Sequence, residues 1–335
     1  MVRVKVDSVG AKGAKKQALE EHESLIPKKS GGLYFGSQKT DVDFIPSGTK
    51  ILDMALGGGW ARRRIANIVG NFSSGKTLIA IEASANFVLT EPKGIVRYRE
   101  AESAFDPKYA EALGFPIDRV DFGDPIDTIE DLFEDLERVI EGAKGPEIYI
   151  IDSLDALSDR GEMVRAMDEG SFGTAKAKMM SQLFRRTTSQ LASKDITVFV
   201  ISQIRDKIGV TFGKKTTRSG GRALDFYASQ ALWLNKADKI KLTRGKVERV
   251  VGIEVNGVVE KNKVGLPYRE AEFPIIFGYG IDDRKACSEY LKAVTGEIVE
   301  KNLPISELHR MVEESWWEVE NRFLPTESKY GKGIE

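Results

Sequence analysis

Between residues 44 and 277 short apolar runs alternate with longer stretches whose apolar side chains recur every three or four positions. The short runs predict buried strands over 65–69, 95–98, 147–152 and 196–201. The longer stretches predict helices over 50–56, 78–88, 106–113 and 174–193. A further helix is predicted from the Asp124-Pro125 pair, read as an N-cap with proline at the first helical position, to Gly142. Strand alternating with helix argues for an α/β fold: a mainly parallel sheet with helices on both faces. Polar, glycine-bearing segments interrupt the pattern at 158–173 and 204–222, and loops that long are usually functional. Over 231–277 the pattern predicts shorter strands and an antiparallel extension. Residues 281–325 read as mostly helical, with Trp316 and Trp317 in an acidic run.

The stretch from 70 to 77 stands between a predicted strand and a predicted helix. It reads Gly70-Asn71-Phe72-Ser73-Ser74-Gly75-Lys76-Thr77, the spacing of a phosphate-binding P-loop. The glycines let backbone N–H groups turn toward phosphate oxygens, and the helix N-terminus adds partial positive charge. Lys76 is placed to reach the outer phosphates and Thr77 to hold Mg²⁺.

Composition narrows the picture further. The chain has 335 residues, 41% hydrophobic and 30% charged, enough for a full core. The net charge of −1 gives no global signal for nucleic acid, so any such site is a local patch. A single cysteine, Cys287, excludes an internal disulfide framework and fits a reducing, cytoplasmic location. No apolar run is long enough to span a membrane, and the lysine-bearing N-terminus has no apolar core of a secretory signal. Residues 1–40 read either as a frayed tail or as an arm that docks on another protomer.

Three positions carry further chemistry. Asp152 ends an apolar strand downstream of the P-loop, where such ATPases place a carboxylate for Mg²⁺; Ser153 follows it. Glu102 closes the strand after the P-loop helix and is suited to orient or deprotonate an attacking water. Glu100 competes for that role, and the structural alternative for Glu102 is a loop carboxylate that merely pairs with Arg99. Gln203, just past the strand over 196–201, is an amide able to sense a terminal phosphate. The loop after it carries Arg205, Lys207, Lys214, Lys215 and Arg218, with Arg222 just beyond, against one acid, Asp206. Phe212 lies among them. Cations and an aromatic on a glycine-bearing loop suit a single-stranded nucleic acid backbone and base stacking.

At this point the chain closely resembles the bacterial RecA recombinase family. The resemblance rests on GNFSSGKT (70–77), EAESAFDP (100–107), IIDSLDAL (150–157), KMMSQLFR (178–185), SQIRDKIGVTFG (202–213), SGGRALDFYAS (219–229), VVEKNKVGLPYREAEF (258–273) and FGYGI (277–281), in unbroken order. It implies an N-terminal arm over 1–40, a RecA-type ATPase core over 41–280 and a small helical region over 281–335. It places the nucleotide site on Lys76, Thr77, Glu102, Asp152 and Gln203, with Asp106 and Tyr109 at adenine. It assigns DNA contacts to loops over about 162–173 and 204–218, with Phe172 and Phe212 in them, and to the basic positions Lys178 and Arg185 outside them. It assigns Lys261 and Lys263 to the neighbour's ATP in a filament; by spacing alone they are surface charges two apart on one face of a strand.

The expected function is therefore a DNA-dependent ATPase that uses ATP and Mg²⁺. It would form a filament on single-stranded DNA and exchange strands with double-stranded DNA. Two other readings remain at this stage: a ring-forming ATPase that translocates on DNA, and a DNA-coating scaffold with little hydrolysis. Glu100 stands where the family usually has Asp, and Arg97 and Arg99 replace apolar or neutral residues. These departures, and a short tail after 281 that does not align with the family's C-terminal domain, mark a divergent branch.

Overall fold

The computed structural model describes residues 33–34, 38–39, 42–102, 105–164, 173–206, 216–218 and 221–325. Apart from two two-residue strands, the expected arm over 1–40 lies outside them. The ten-stranded central sheet comprises β1 (Ile65–Gly70), β2 (Ile95–Glu100), β3 (Val120–Asp121), β4 (Glu147–Asp152), β5 (Ile196–Asp206), β6 (Gln230–Arg244), β7 (Val247–Asn262), β8 (Arg269–Ile276) and β9 (Gly280–Ile281), with the short strand Thr216–Arg218 paired to the end of β5. Their spatial order is β9-β8-β7-β6-β1-β5-β4-β2-β3. All neighbours from β6 to β3 run parallel, and β6 through β9 are joined by antiparallel pairings.

β4 shows why this is a layered sandwich. All its residues are buried, and their side chains alternate between two apolar layers. Ile148 and Ile150 join one layer, while Tyr149 and Ile151 join the other. The first layer holds helices α1 (Lys50–Leu56) and α2 (Lys76–Thr90); the second holds α4 (Ile129–Gly142) and α6 (Gly173–Lys194). The short helix α3 (Pro107–Ala112) also packs on the first layer through Ala110.

Several expectations shift. α4 begins at Ile129, not after Asp124-Pro125, because a stronger cap lies further on. Thr128 Oγ1 accepts from Asp131 N–H at 3.1 Å, and Asp131 Oδ2 accepts from Thr128 N–H at 3.1 Å. That reciprocal box ties the N-cap residue and the first turn to each other from both sides. The segment over 158–173 contains helix α5 (Arg160–Val164), started by Asp159 accepting from Glu162 N–H at 2.8 Å. The strands beyond 230 are longer than predicted: β6 has 15 residues and β7 has 16. Bulges at 231/232, 236/239 and 240/241 break their side-chain alternation, and the outer half of the hairpin is mostly exposed, so the period-2 signal is lost.

Arg97 and Arg99, odd for an interior strand, build a buried ionic network. Arg99, 3% exposed, gives Nε to Asp135 Oδ2 at 2.6 Å and Nη1 to the Asp121 carbonyl at 2.7 Å. Arg97 reaches Glu147 at 2.8 Å and Asp121 at 2.6 Å. Tyr149 donates to Asp135 at 2.7 Å. The network joins β2, β3, β4 and α4. The two arginines are thus a structural feature of the sheet edge.

Helix α7 (Gly221–Tyr227) precedes β6, and α8 (Asp283–Thr295) and α9 (Ile305–Phe323) follow β9. α8 and α9 extend the first apolar layer through Ala286, Cys287, Leu291, Leu308, Val312 and Trp316. Ion pairs Lys50–Glu313 at 2.8 Å and Arg269–Glu320 at 2.5 Å clamp α9 to the core. Among the described residues no helix is long and apolar enough to cross a membrane.

Candidate active site

The P-loop runs off the end of β1 into α2. Gly70 and Gly75 have no alternative: a Cβ at Gly70 would stand 2.4 Å from Ser74 Oγ, and Gly75 has φ +91°. Ser73 also takes positive φ, at 54°. Asn71, Phe72 and Ser73 are exposed, whereas Ser74 is buried and donates to the Asn71 carbonyl at 2.9 Å. Lys76 Nζ donates to the same carbonyl at 2.7 Å. Burial pulls the Lys76 ammonium below its ordinary pKa, against the opposing pull of Asp152, Glu102 and Asp155.

Thr77, one residue into α2, donates to Asp152 Oδ2 at 2.8 Å. Tyr98 donates to the same oxygen at 2.5 Å. Burial nevertheless raises the Asp152 carboxyl above its usual range. A hydroxyl and a buried carboxylate converging beside a phosphate loop form the hard oxygen set that Mg²⁺ takes, so the residues fit the ion.

Glu102 lies two residues past β2 and is exposed. Its Oε1 accepts from Ser153 Oγ and from Gln203 Nε2, the latter at 2.7 Å. Arg99 turns to the opposite face, so pairing between Arg99 and this loop is not what holds Glu102. Glu100 Oε1 accepts from Glu102 N–H at 3.0 Å and so shapes the turn that presents Glu102. Gln203 lies inside β5, not past it: β5 continues to Asp206 because Thr216–Arg218 pairs with its end. Its partner across the parallel ladder is Gly70. Gln203 N–H donates to Asp155 Oδ2 at 2.6 Å.

Sequence reasoning did not assign Tyr98 or Asp155 to this cluster. Tyr98 had a usable signal, since it sits two positions before Glu100 on the same face of β2. Asp155 had none beyond lying in the segment after Asp152.

The remaining expected residues lie elsewhere. Asp106 caps α3, accepting from Lys108 and Tyr109 N–H at 3.0 and 3.2 Å, and Tyr109 is exposed. Lys178 and Arg185 are exposed on α6, seven residues apart and hence on one face. Arg205 and Arg218 stand on the two strands at the base of the second loop; Thr217 opposes Arg205 and Arg218 opposes Ile204. Arg222 begins α7 at its second residue. Phe172, Lys207 and Phe212 lie outside the described residues. Lys261 and Lys263, at the end of β7, both donate to the Phe226 carbonyl at the end of α7, at 3.0 and 3.1 Å.

A parallel sheet carrying a P-loop, with a strand-end Asp, Glu and Gln gathered beside it, leaves several ATPase families open. The RecA N-terminal domain model matches residues 14–282. The chain belongs to the RecA family. It is 39% identical over 274 residues to Protein RecA of Francisella philomiragia, covering 80% of this chain and 74% of that one. It is 38% identical over 298 residues to Protein RecA of Nostoc punctiforme, covering 89% and 80%. With Protein RecA of Gloeobacter violaceus it shares 40% over 260 residues, covering 78% and 68%. As a RecA-family member the protein is a DNA-dependent ATPase of recombination and repair. The family match does not favour a ring motor or a coating scaffold.

Proposed function

We propose that this RecA-family protein, a cytoplasmic enzyme, assembles head to tail into a helical filament on single-stranded DNA and pairs that strand with duplex DNA. In this reading residues 1–40 are the docking arm, 41–280 the ATPase core and 281–335 an appended helical region. ATP with Mg²⁺, when bound, supplies the phosphoryl group whose transfer to water drives the cycle. Residues 70–77 cradle its phosphates, Thr77 and Asp152 hold the metal, and Asp106 and Tyr109 flank the base. Glu102 accepts the proton of the attacking water. Lys76 faces the charge that develops on the phosphoryl oxygens.

Gln203 reports the state of the site. The observation that carries this is its double attachment: its amide is bonded to Glu102 and its backbone is paired with Gly70. The chain that follows it is the second loop, with Arg205, Lys207, Phe212 and Arg218. When the amide exchanges Glu102 for a terminal phosphate, β5 passes the change directly to that loop. Phe172, Lys178, Arg185 and Arg222 complete the DNA surface.

The test is strand exchange between a circular single strand and a homologous linear duplex. Joint molecules are expected with ATP and Mg²⁺ and not without ATP. Lys76→Ala should abolish ATP-dependent exchange and lower turnover by about 10²–10³, as for loss of one group facing the developing charge. DNA-stimulated hydrolysis without any joint molecules would sink the recombinase reading while leaving the ATPase intact.

A further inference from the structure

The chain's single cysteine meets one of its two histidines beside an aspartate, far in sequence from the nucleotide loop. Asp283 and Cys287 are four residues apart on α8 and therefore share one face. His309 comes from the neighbouring α9. His309 Nε2 lies 2.5 Å from Asp283 Oδ2, and Cys287 Sγ donates to Asp283 Oδ1 at 3.3 Å. One ligand atom from each residue falls within 4.8 Å of the other two. We propose that Asp283, Cys287 and His309 form a binding site for one borderline divalent cation, with zinc the best match.

The donor set points to that class of ion. Thiolate, imidazole and carboxylate together suit Zn²⁺, whereas Mg²⁺ and Ca²⁺ take oxygen alone. In a tetrahedral zinc site, metal–ligand bonds of about 2.0–2.3 Å separate ligand atoms by roughly 3.3–3.7 Å. The Cys287–Asp283 separation of 3.3 Å already meets the edge of that range, and the His309–Asp283 pair at 2.5 Å must open to admit the ion. The Cys287 side chain is fully buried, while Asp283 and His309 are 19% and 21% exposed. The site thus opens to solvent on one side, where water completes a fourth position. A backbone bond already orients Asp283 as a ligand. Its Oδ1 accepts from Lys50 N–H at 2.9 Å, leaving Oδ2 to face the ion.

Two buried carboxyls stand near the site. Asp53, on α1, is pushed up to about 6, by burial first and in part by Asp283. Glu82, on α2, is pushed up to about 7, again by burial first and in part by Asp283. The cations facing this group of carboxylates are Lys50, whose ammonium is paired with Glu313, and His309 itself. On binding, Cys287 gives up its thiol proton to solvent and the sulfur donates an electron pair to the metal. One ion then joins α8, α9 and, through Asp283, the start of α1.

Because Cys287 is the chain's only thiol, cobalt makes a specific probe. Metal-stripped full-length protein is titrated with Co²⁺ under excess Mg²⁺. A thiolate-to-cobalt charge-transfer band should grow to one equivalent and collapse on adding Zn²⁺. Cys287→Ser should abolish the band, and His309→Gln should weaken Co²⁺ binding at least 10-fold. Zinc should raise the melting temperature of the parent protein by a few degrees and leave Cys287→Ser unmoved. Magnesium-dependent ATPase activity of Cys287→Ser should stay within twofold of the parent, which confirms a folded variant. Absence of the band in folded parent protein at micromolar Co²⁺ would overturn the site. So would a band whose titration is unchanged in His309→Gln.

Discussion

The side-chain amide of Gln203 donates to Glu102 Oε1 across 2.7 Å, although 101 residues separate them. The group proposed to prepare water is thus bonded directly to the group proposed to sense phosphate. The pair sets up the first prediction. Glu102→Gln should retain nucleotide binding and lose about 10²–10⁴ in turnover, the usual contribution of a positioned general base. Gln203→Ala should also bind nucleotide, but DNA should no longer stimulate hydrolysis. Fluorescent-nucleotide titration and phosphate release, each with and without single-stranded DNA, separate the two. Normal stimulation in Gln203→Ala would break the link between sensor and loop.

The ionic network at the sheet edge gives a stability prediction. Arg99 and Asp135 are both nearly fully buried, so removing one partner strands the other. Arg99→Leu should cost about 3–5 kcal/mol. Arg99→Leu combined with Asp135→Leu should recover part of that loss, since the unpaired buried charge is gone. Urea midpoints of the two variants test this.

Acid sensitivity follows from the same residues. Burial pushes Asp135 up, but its bonds from Arg99, Arg138 and Tyr149 prevail and hold it below the usual carboxylate range. Its folded pKa is depressed, so its contribution is present above the unfolded value of about 3.9 and fades as pH falls through the lower folded value. Asp135→Asn should therefore flatten the loss of melting temperature at the acid end, below about pH 4.

Glu82 behaves in the opposite sense. Burial raises it to about 7 from an ordinary 4.5, against the bond it accepts from Ile281 N–H. The folded state holds the proton where the unfolded state has released it. Between those two values stability falls as pH rises. Glu82→Gln should level the melting temperature across that window and raise it at pH 8 relative to the parent. An unchanged slope would show that Glu82 keeps its ordinary pKa.

Lys261 and Lys263 both bond the end of α7 in their own chain, which leaves their proposed role to the assembled filament. Lys261→Ala/Lys263→Ala and Glu102→Ala should each be inactive alone. In a 1:1 mixture about a quarter of head-to-tail interfaces join an intact Glu102 to intact lysines. ATPase activity should reappear on mixing. A mixture that co-assembles on DNA yet stays inactive would confine the lysines to their own protomer.

The sequence was most readable where one face or one loop dominates. The P-loop needs its glycines for backbone reasons, and β4 is apolar throughout its middle, so both stand out without tertiary context. Arg97 and Arg99 read as anomalies because their partners, Asp121, Asp135 and Glu147, come from three other elements. The start of α4 was missed because Asp124-Pro125 is a good local cap, while the better one at Thr128 depends on Asp131 reaching back. In the long hairpin, bulges hide the alternation on which a strand assignment relies. Asp155 joins the site only because β5 lies beside β4, a neighbour relation that the linear pattern does not encode.

Gly70 has a second neighbour in the sheet. Leu234 of β6 pairs with it on one side as Gln203 does on the other, and a Cβ at position 70 would come within 3.0 Å of the Leu234 carbonyl. Three backbones are therefore laced side by side at the mouth of the phosphate loop. β6 leaves this row as one leg of the protruding hairpin, just as β5 leaves it toward the second loop. The phosphate loop is thus anchored to two strands at once, and a side chain at position 70 would press on the Leu234 carbonyl as well as on Ser74.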